Sequence, residues 1–211
     1  MPLTNSSQYG LFTQRLLQRL NKHLAITYQP YFVFREGHTP LDPAWQKLPD
    51  DFHVEQLTLQ DYTQVVGLSS WATAEEILRR LEAGHLCTLV CQGETVAGYT
   101  WADLQEINDA HCDYPLPAGH AYLYDAFVAN DFRGSGLASG MRAACYAQLR
   151  EQGVTGFVSI SDQFNTPALK FKQRLGGEPI ALYRLLQIGR WRVFHYRAAL
   201  AQPSHHSEKS G

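Results

Sequence analysis

Apolar residues recur every four positions at Phe12, Leu16, Leu20 and Leu24, which puts them on one face and predicts a helix from Tyr9 to Leu24. The pattern then changes. Ile26 to Arg35 is rich in aromatic and β-branched residues and predicts a strand, and Pro30, which brings no N–H to a ladder, points to an edge or a bulge. Gly37 to Asp51, dense in Pro, Gly and Asp, predicts a connection. Phe52 to Leu57 predicts a strand, and Gln60 to Leu68 and Ala74 to Ala83 predict helices, the second opened by Thr73 and Glu76 at capping-box spacing. His85 to Cys91 and Thr95 to Leu104 predict a hairpin across Gln92-Gly93-Glu94, and the polar stretch Gln105 to Gly119 leads into a strand from Ala121 to Val128. Leu137, Met141, Ala144, Cys145 and Leu149 form a helical stripe that stops at Gly153. A strand over Val154 to Ser161, a helix from Pro167 to Gly176-Gly177 and a hairpin of Ile180 to Leu186 with Trp191 to Tyr196 complete the pattern.

These elements predict an N-terminal extension over residues 1–51 that packs on a core, one domain over 52–200, and a disordered polar tail over 201–211. A hydrophobic content of 45% with 18% charged residues suits one well-buried core. The formal charge of −2, without any block of Lys or Arg, argues against nucleic acid as a partner. No apolar run approaches the ~20 residues of a membrane span, and Met1 to Leu20 lacks the layout of a signal peptide, so a cytoplasmic protein is expected. Cys87, Cys91, Cys112 and Cys145 show no metal-ligand spacing, and core packing accounts for them.

The segment richest in chemistry follows the Ala121 to Val128 strand: Ala129-Asn130-Asp131-Phe132-Arg133-Gly134-Ser135-Gly136-Leu137-Ala138. A glycine turn opening a helix can aim several backbone N–H groups and the positive end of the helix dipole at phosphate oxygens. A dinucleotide fingerprint would need Gly or Ala three residues after Gly136, where Ser139 stands, and too little chain follows to complete a doubly wound sheet.

Written as Arg133-x-x-Gly136-x-Ala138, the turn resembles the acyl-CoA pyrophosphate loop of the Gcn5-related N-acetyltransferase (GNAT) superfamily. Tyr122 to Val128 resembles that family's fourth strand and is similar in particular to the spermidine/spermine acetyltransferases. Val96 to Trp101 resembles its third strand, and Asn165-Thr166-Pro167-Ala168 with Phe171 and Leu175-Gly176 resembles the element lining the pantetheine arm. The resemblance implies an α/β (α+β) fold with a mixed central sheet of six to seven strands and flanking helices. It implies acetyl-CoA as cosubstrate, a primary amine of a small molecule or peptide as acceptor, and allows a homodimer. It places Phe127, Val128, Arg133, Gly134, Ser135, Gly136, Leu137, Ala138, Asn165 and Phe171 on the cofactor, with no metal.

The implied reaction is attack of an amine on a thioester. Asp125, ~10 Å before Val128 along an extended strand, is the candidate ligand of the acceptor amine and a water-mediated base, whereas His120 lies ~26 Å away. The competing reading of Asp125 is a tether for a neighbouring loop. Many family members carry a Tyr seven residues after the Asn of the pantetheine element; here that position is Lys172, whose ammonium could stabilise the departing thiolate or could sit solvated on a helix face. Gly67 to Thr73, Gln105 to Gly119 and Gln187 to Trp191 are the expected acceptor segments, with Tyr31, Trp71, Tyr99, Trp101 and Trp191 as candidate pocket walls. Two other classes compete: an acyl-CoA-binding module without turnover, and a nucleotide-cofactor oxidoreductase.

Overall fold

The computed structural model describes residues 26–39, 47–107, 109, 112, 114–188 and 191–199. The expected helix over 9–24 and the expected tail lie outside the described residues.

Among the described residues eight strands build the sheet: β1 (Ile26–Glu36), β2 (Phe52–Gln56), β3 (Leu86–Gln92), β4 (Thr95–Asp103), β5 (His120–Val128), β6 (Gly156–Asp162), β7 (Glu178–Ile188) and β8 (Trp191–Ala199). Their order is β2-β3-β4-β5-β6-β1-β7-β8. Of these eight strands only β5 and β6 pair in parallel, as expected for strands joined through a helix. The sheet therefore has one strand more than the six to seven expected, and the addition is β1. Instead of packing on the outside, it lies inside the sheet, antiparallel to both β6 and β7.

Pro30 shows how an interior strand tolerates the missing donor. Its carbonyl accepts from Gln163 N at 2.8 Å, beyond the Tyr31↔Asp162 pair that ends the β1–β6 ladder, so its nitrogen faces the same way, past that ladder. The irregularity in β1 falls at Val33/Phe34 instead, against β7.

Among the described residues three helices cover the sheet: α1 (Ala74–Glu82), α2 (Leu137–Glu151) and α3 (Thr166–Arg174). Alternation along β3 separates the faces. Cys87, Leu89 and Cys91 join Ile77 of α1 in one cluster. On the opposite face Val90 packs with Leu137 and Met141 of α2. Thr73 Oγ1 accepts from Glu76 N at 3.2 Å, as the capping spacing predicts. The expected helix over Gln60 to Leu68 is only a 3₁₀ turn, Tyr62–Val65. All four cysteines are buried free thiols. Across the β2–β3 pair, however, His53 and Glu55 bring ligand atoms within 4.8 Å of Cys91, a meeting that linear spacing could not show.

Candidate active site

Two irregularities in β5 create the site. Pairing with β6 stops at Leu123↔Ser159, so the two strands part beyond that point. Against β4, Trp101 pairs with Tyr124 and Tyr99 with Phe127, leaving Asp125 and Ala126 to oppose Thr100 alone. This is a β-bulge, and Asp125 absorbs it with φ 46°, a left-handed conformation that Asp tolerates better than most residues. The wedge is a cleft of about 660 Å³ that runs through the sheet. On the α2/α3 face it is lined by Ala138, Arg142, Phe171 and Lys172; Tyr31 and Tyr124 line it from the α1 face.

The glycine turn stands beside this cleft. Gly134 (φ 83°) and Gly136 (φ 82°) both adopt the left-handed region, and a Cβ on Gly134 would project into open space. Gly136 caps α2, a helix of 15 residues. Ser135 Oγ donates to Phe132 O at 2.7 Å and so shapes the turn. Among the described residues, the amides of Gly134, Gly136 and Ala138 show no acceptor within the chain. A helix start with unpaired amides and accessible main chain fits a pyrophosphate.

The expected site residues divide clearly. Asp125, Phe127, Val128, Arg133, Ala138, Asn165, Phe171 and Lys172 all line the cleft. The Leu137 side chain is buried in the core, so only its main chain remains for a ligand. Arg133 folds back and its Nε donates to Val128 O at 3.0 Å, occupying a carbonyl expected to face pantetheine. Asn165 Oδ1 accepts from Ala168 N at 3.2 Å and caps α3. Asp125 Oδ2 accepts from Arg80 Nη1 at 2.6 Å, so it tethers α1, a helix and not a loop. Of the five candidate aromatics only Tyr31 lines the cleft; Tyr99 and Trp101 are core, and Trp71 and Trp191 are exposed.

Lys172 is not on a solvated face. It is 4% exposed, donates to Glu36 Oε1 at 3.1 Å and to Ser159 Oγ, and belongs to a buried network that sequence reasoning missed. Glu36 also accepts from Ser159 Oγ and, at 2.6 Å, from Tyr146 OH. Burial pushes the Glu36 carboxyl up, but Lys172 and Arg142, with the hydrogen bonds from Ser159 and Tyr146, outweigh it and hold the group well below the usual carboxylate range. Burial pulls the Lys172 amine below its ordinary value; Glu36 opposes this and Arg142 adds to it. Arg142 Nε stands 3.9 Å from Glu36 Oε2; among the described residues Nε and Nη1 have no hydrogen-bond partner, and the guanidinium lies over the Phe171 ring at 5.8 Å. Two cations thus face one carboxylate at the cleft wall, and unsatisfied guanidinium donors there suit an oxygen-rich ligand. The one available signal was Arg142 itself, a charge four residues after Ala138 on the helix face that packs inward.

A mixed sheet whose two parallel strands part beside a glycine-capped helix defines an acyltransferase fold of the GNAT type. The sequence matches the model of the acetyltransferase (GNAT) family over residues 43–177, more than half of its length, and the chain belongs to that family. No curated protein matches it significantly. Among solved structures, a Drosophila protein superposes with a TM-score of 0.55 at 14% identity, covering 84% of this chain and 57% of its own. A glucosamine N-acetyltransferase region of a fungal multidomain β-N-acetylglucosaminidase gives 0.58 at 14% identity, covering 91% of this chain and 23% of its own. AAC(6')-Iy, in complex with a CoA bisubstrate analogue of acetylneamine, gives 0.50 at 20% identity, covering 71% of this chain and 99% of its own. The chain thus spans little more than half of the Drosophila protein. The narrower likeness to spermidine/spermine acetyltransferases has no counterpart among these three. Among the described residues no helix is long and apolar enough to cross a membrane.

Proposed function

We propose that the chain transfers the acetyl group of acetyl-CoA to a primary amine of a small molecule or peptide. The observation that carries this reading is the parting of β5 and β6 at Leu123↔Ser159 onto the glycine-capped start of α2. In this reading the amides around Gly134 to Ala138 hold the pyrophosphate, Phe171 lines the pantetheine arm, and the acyl thioester reaches the narrow end of the wedge beside Lys172. Acetyl-CoA supplies an activated carbonyl. The amine attacks it, a C–N bond forms, the C–S bond breaks, and the thiolate takes a proton from Lys172, which regains one from the amide nitrogen. Because the cleft passes through the sheet, the acceptor enters from the α1 face, where Asp125 and Tyr31 stand. Amino sugars are natural test acceptors, since two of the similar structures are described as acting on or holding such compounds.

Release of free thiol from acetyl-CoA against polyamines, amino sugars, amino acids and peptides tests the reading. CoA binding without thiol release for any amine would favour the binding module instead. Ala138→Glu tests the phosphate site without left-handed strain, because an acidic residue suits a helix start on its own. At ~4 Å and an effective dielectric of ~20, two like charges repel by ~4 kcal/mol, so calorimetry should show CoA affinity reduced at least about 100-fold with the melting temperature unchanged. Equal affinity would remove the turn from the site.

Asp125→Asn should raise the acceptor KM about tenfold or more, the worth of a charge-assisted hydrogen bond at ~1.5–3 kcal/mol, and leave CoA affinity unchanged. Unaltered kinetics would leave Asp125 with its tether to Arg80 alone.

A further inference from the structure

The amine acceptor of the proposed reaction arrives as an ammonium near pKa ~10.4, and freeing its lone pair at pH 7 costs ~4–5 kcal/mol. A group must receive that proton on the α1 face of the cleft. Asp125 is held there by Arg80.

One buried chain of polar groups starts at this wall and leads away from it. Tyr124, in β5, lines the cleft one residue before the bulge. Its hydroxyl lies 2.5 Å from His85 Nδ1, and the imidazole stands edge-on to the phenol ring. His85 Nε2 in turn lies 3.3 Å from Asp103 Oδ2. Asp103, 2% exposed, accepts through Oδ1 from the backbone amides of Gln105 at 2.8 Å and Glu106 at 3.3 Å. A carboxylate so anchored can only accept from His85, which assigns the hydrogen of the neutral ring to Nε2 and leaves Nδ1 to accept from Tyr124. The phenol then spends its one hydrogen on His85 and keeps its oxygen lone pairs for a donor in the cleft.

We propose that Tyr124, His85 and Asp103 form a proton relay that deprotonates the acceptor amine. Tyr124 is the catalytic residue, and His85 and Asp103 act through it as positioning residues. As the ammonium N–H gives its proton to the Tyr124 oxygen, the phenol proton passes to His85 Nδ1. The products are a neutral amine, an unchanged phenol and an imidazolium held by Asp103. The imidazolium later releases its proton to solvent, which accounts for the one proton that the overall reaction sets free.

The surroundings suit this task. Burial raises the Tyr124 phenol above its ordinary value, so it stays protonated and transmits a proton without holding a charge. Burial also lowers His85, Asp103 opposes that, Arg79 and Arg80 of α1 reinforce it, and Glu76 of α1 opposes them. His85 is therefore neutral and ready to accept at pH 7. Arg80, paired with Asp125 and Glu76, lies over the Tyr124 ring at 5.0 Å and holds that ring in place.

The relay rests on the acetyl-transfer reading, and the experiment separates the two. His85→Gln keeps both hydrogen bonds, since the amide oxygen can accept from Tyr124 and the amide nitrogen can donate to Asp103, but Gln cannot take a proton. Thiol release from acetyl-CoA would be followed from pH 5.5 to 9.5 with spermidine, glucosamine and a lysine-bearing peptide. For the wild type, log kcat/KM for the amine should rise to a plateau starting below pH 6.5, because neutral His85 accepts from an ammonium. In His85→Gln only free amine reacts, so the same plot should climb with a slope near one toward the amine's own pKa, with about a 100-fold loss at pH 7. Tyr124→Phe should match this loss, and the double variant should lose no more than either, as groups acting as a unit do. CoA affinity and melting temperature should not move in His85→Gln. Independently of any acceptor, nitrogen NMR should find His85 neutral with its hydrogen on Nε2 at pH 7. A wild-type plateau retained in His85→Gln, or a hydrogen on Nδ1, would overturn the relay and leave acetyl transfer standing. No thiol release by the wild type with any of the three amines would overturn both.

Discussion

Replacing Glu36 by Gln is expected to lower the unfolding free energy by about 3–5 kcal/mol, measured as a shifted denaturant midpoint at unchanged m-value. Among the described residues the carboxylate is the only anion in contact with Lys172 and Arg142, and its removal strands two cations in the protein interior. Lys172→Met should cost less stability, because Glu36 then keeps Arg142 and the Tyr146 and Ser159 hydrogen bonds. The sign of the acid dependence follows. Glu36 is held down from an ordinary 4.5 to about 2 in the folded protein. Its contribution is therefore fully present above pH 4.5 and is lost as pH falls from there toward 2. The Gln variant should show a correspondingly flatter acid limb. Equal stability of wild type and Glu36→Gln would mean that β1 is held by its ladders alone.

Loss of the Lys172 ammonium has the opposite emphasis: a modest stability change and a large kinetic one. Lys172→Met should reduce kcat about 100- to 1,000-fold, the ~2.7–4 kcal/mol typical of one lost charge-stabilising donor, with CoA affinity unchanged. A purely structural lysine would also lower activity, so the pH profile is the deciding measurement. An acid must be protonated to act, so wild-type kcat should fall as pH rises through the Lys172 value, which burial has drawn below its ordinary 10.5. That alkaline limb should be absent in Lys172→Met. A loss below about threefold, or a limb that persists, would assign Lys172 to the Glu36 network alone.

The cofactor side of the site was legible because main chain builds it. Gly134 and Gly136 announce a left-handed turn, the stripe from Leu137 to Leu149 announces the helix behind it, and Asn165 with Pro167 announces the start of α3. Each signal is local, arising within a few residues of the structure it specifies. The acceptor side was not legible. Asp103 lies on β4, Tyr124 on β5 and His85 just before β3, and nothing in their spacing marks them as partners until these three strands are in register. The same holds for the aromatic residues, where composition could not distinguish the core residues Tyr99 and Trp101 from the cleft residue Tyr31.

By itself the sequence determined the order and type of most elements, the glycine-capped helix and the family, because periodicity, caps and turn residues act over short separations. Only the tertiary structure decided that β1 enters the sheet and brings Glu36 beneath Lys172, since strand pairing is a choice among distant segments and Pro30 argued locally for an edge. Tertiary structure also decided what each ionisable group could do. Lys172 reads equally as a thiolate stabiliser or a solvated helix residue until its neighbours are known, and His85 has no role in the sequence until one carboxylate fixes its tautomer and one phenol connects it to the cleft. Burial and pairing set protonation, and neither is a property of one position in a chain.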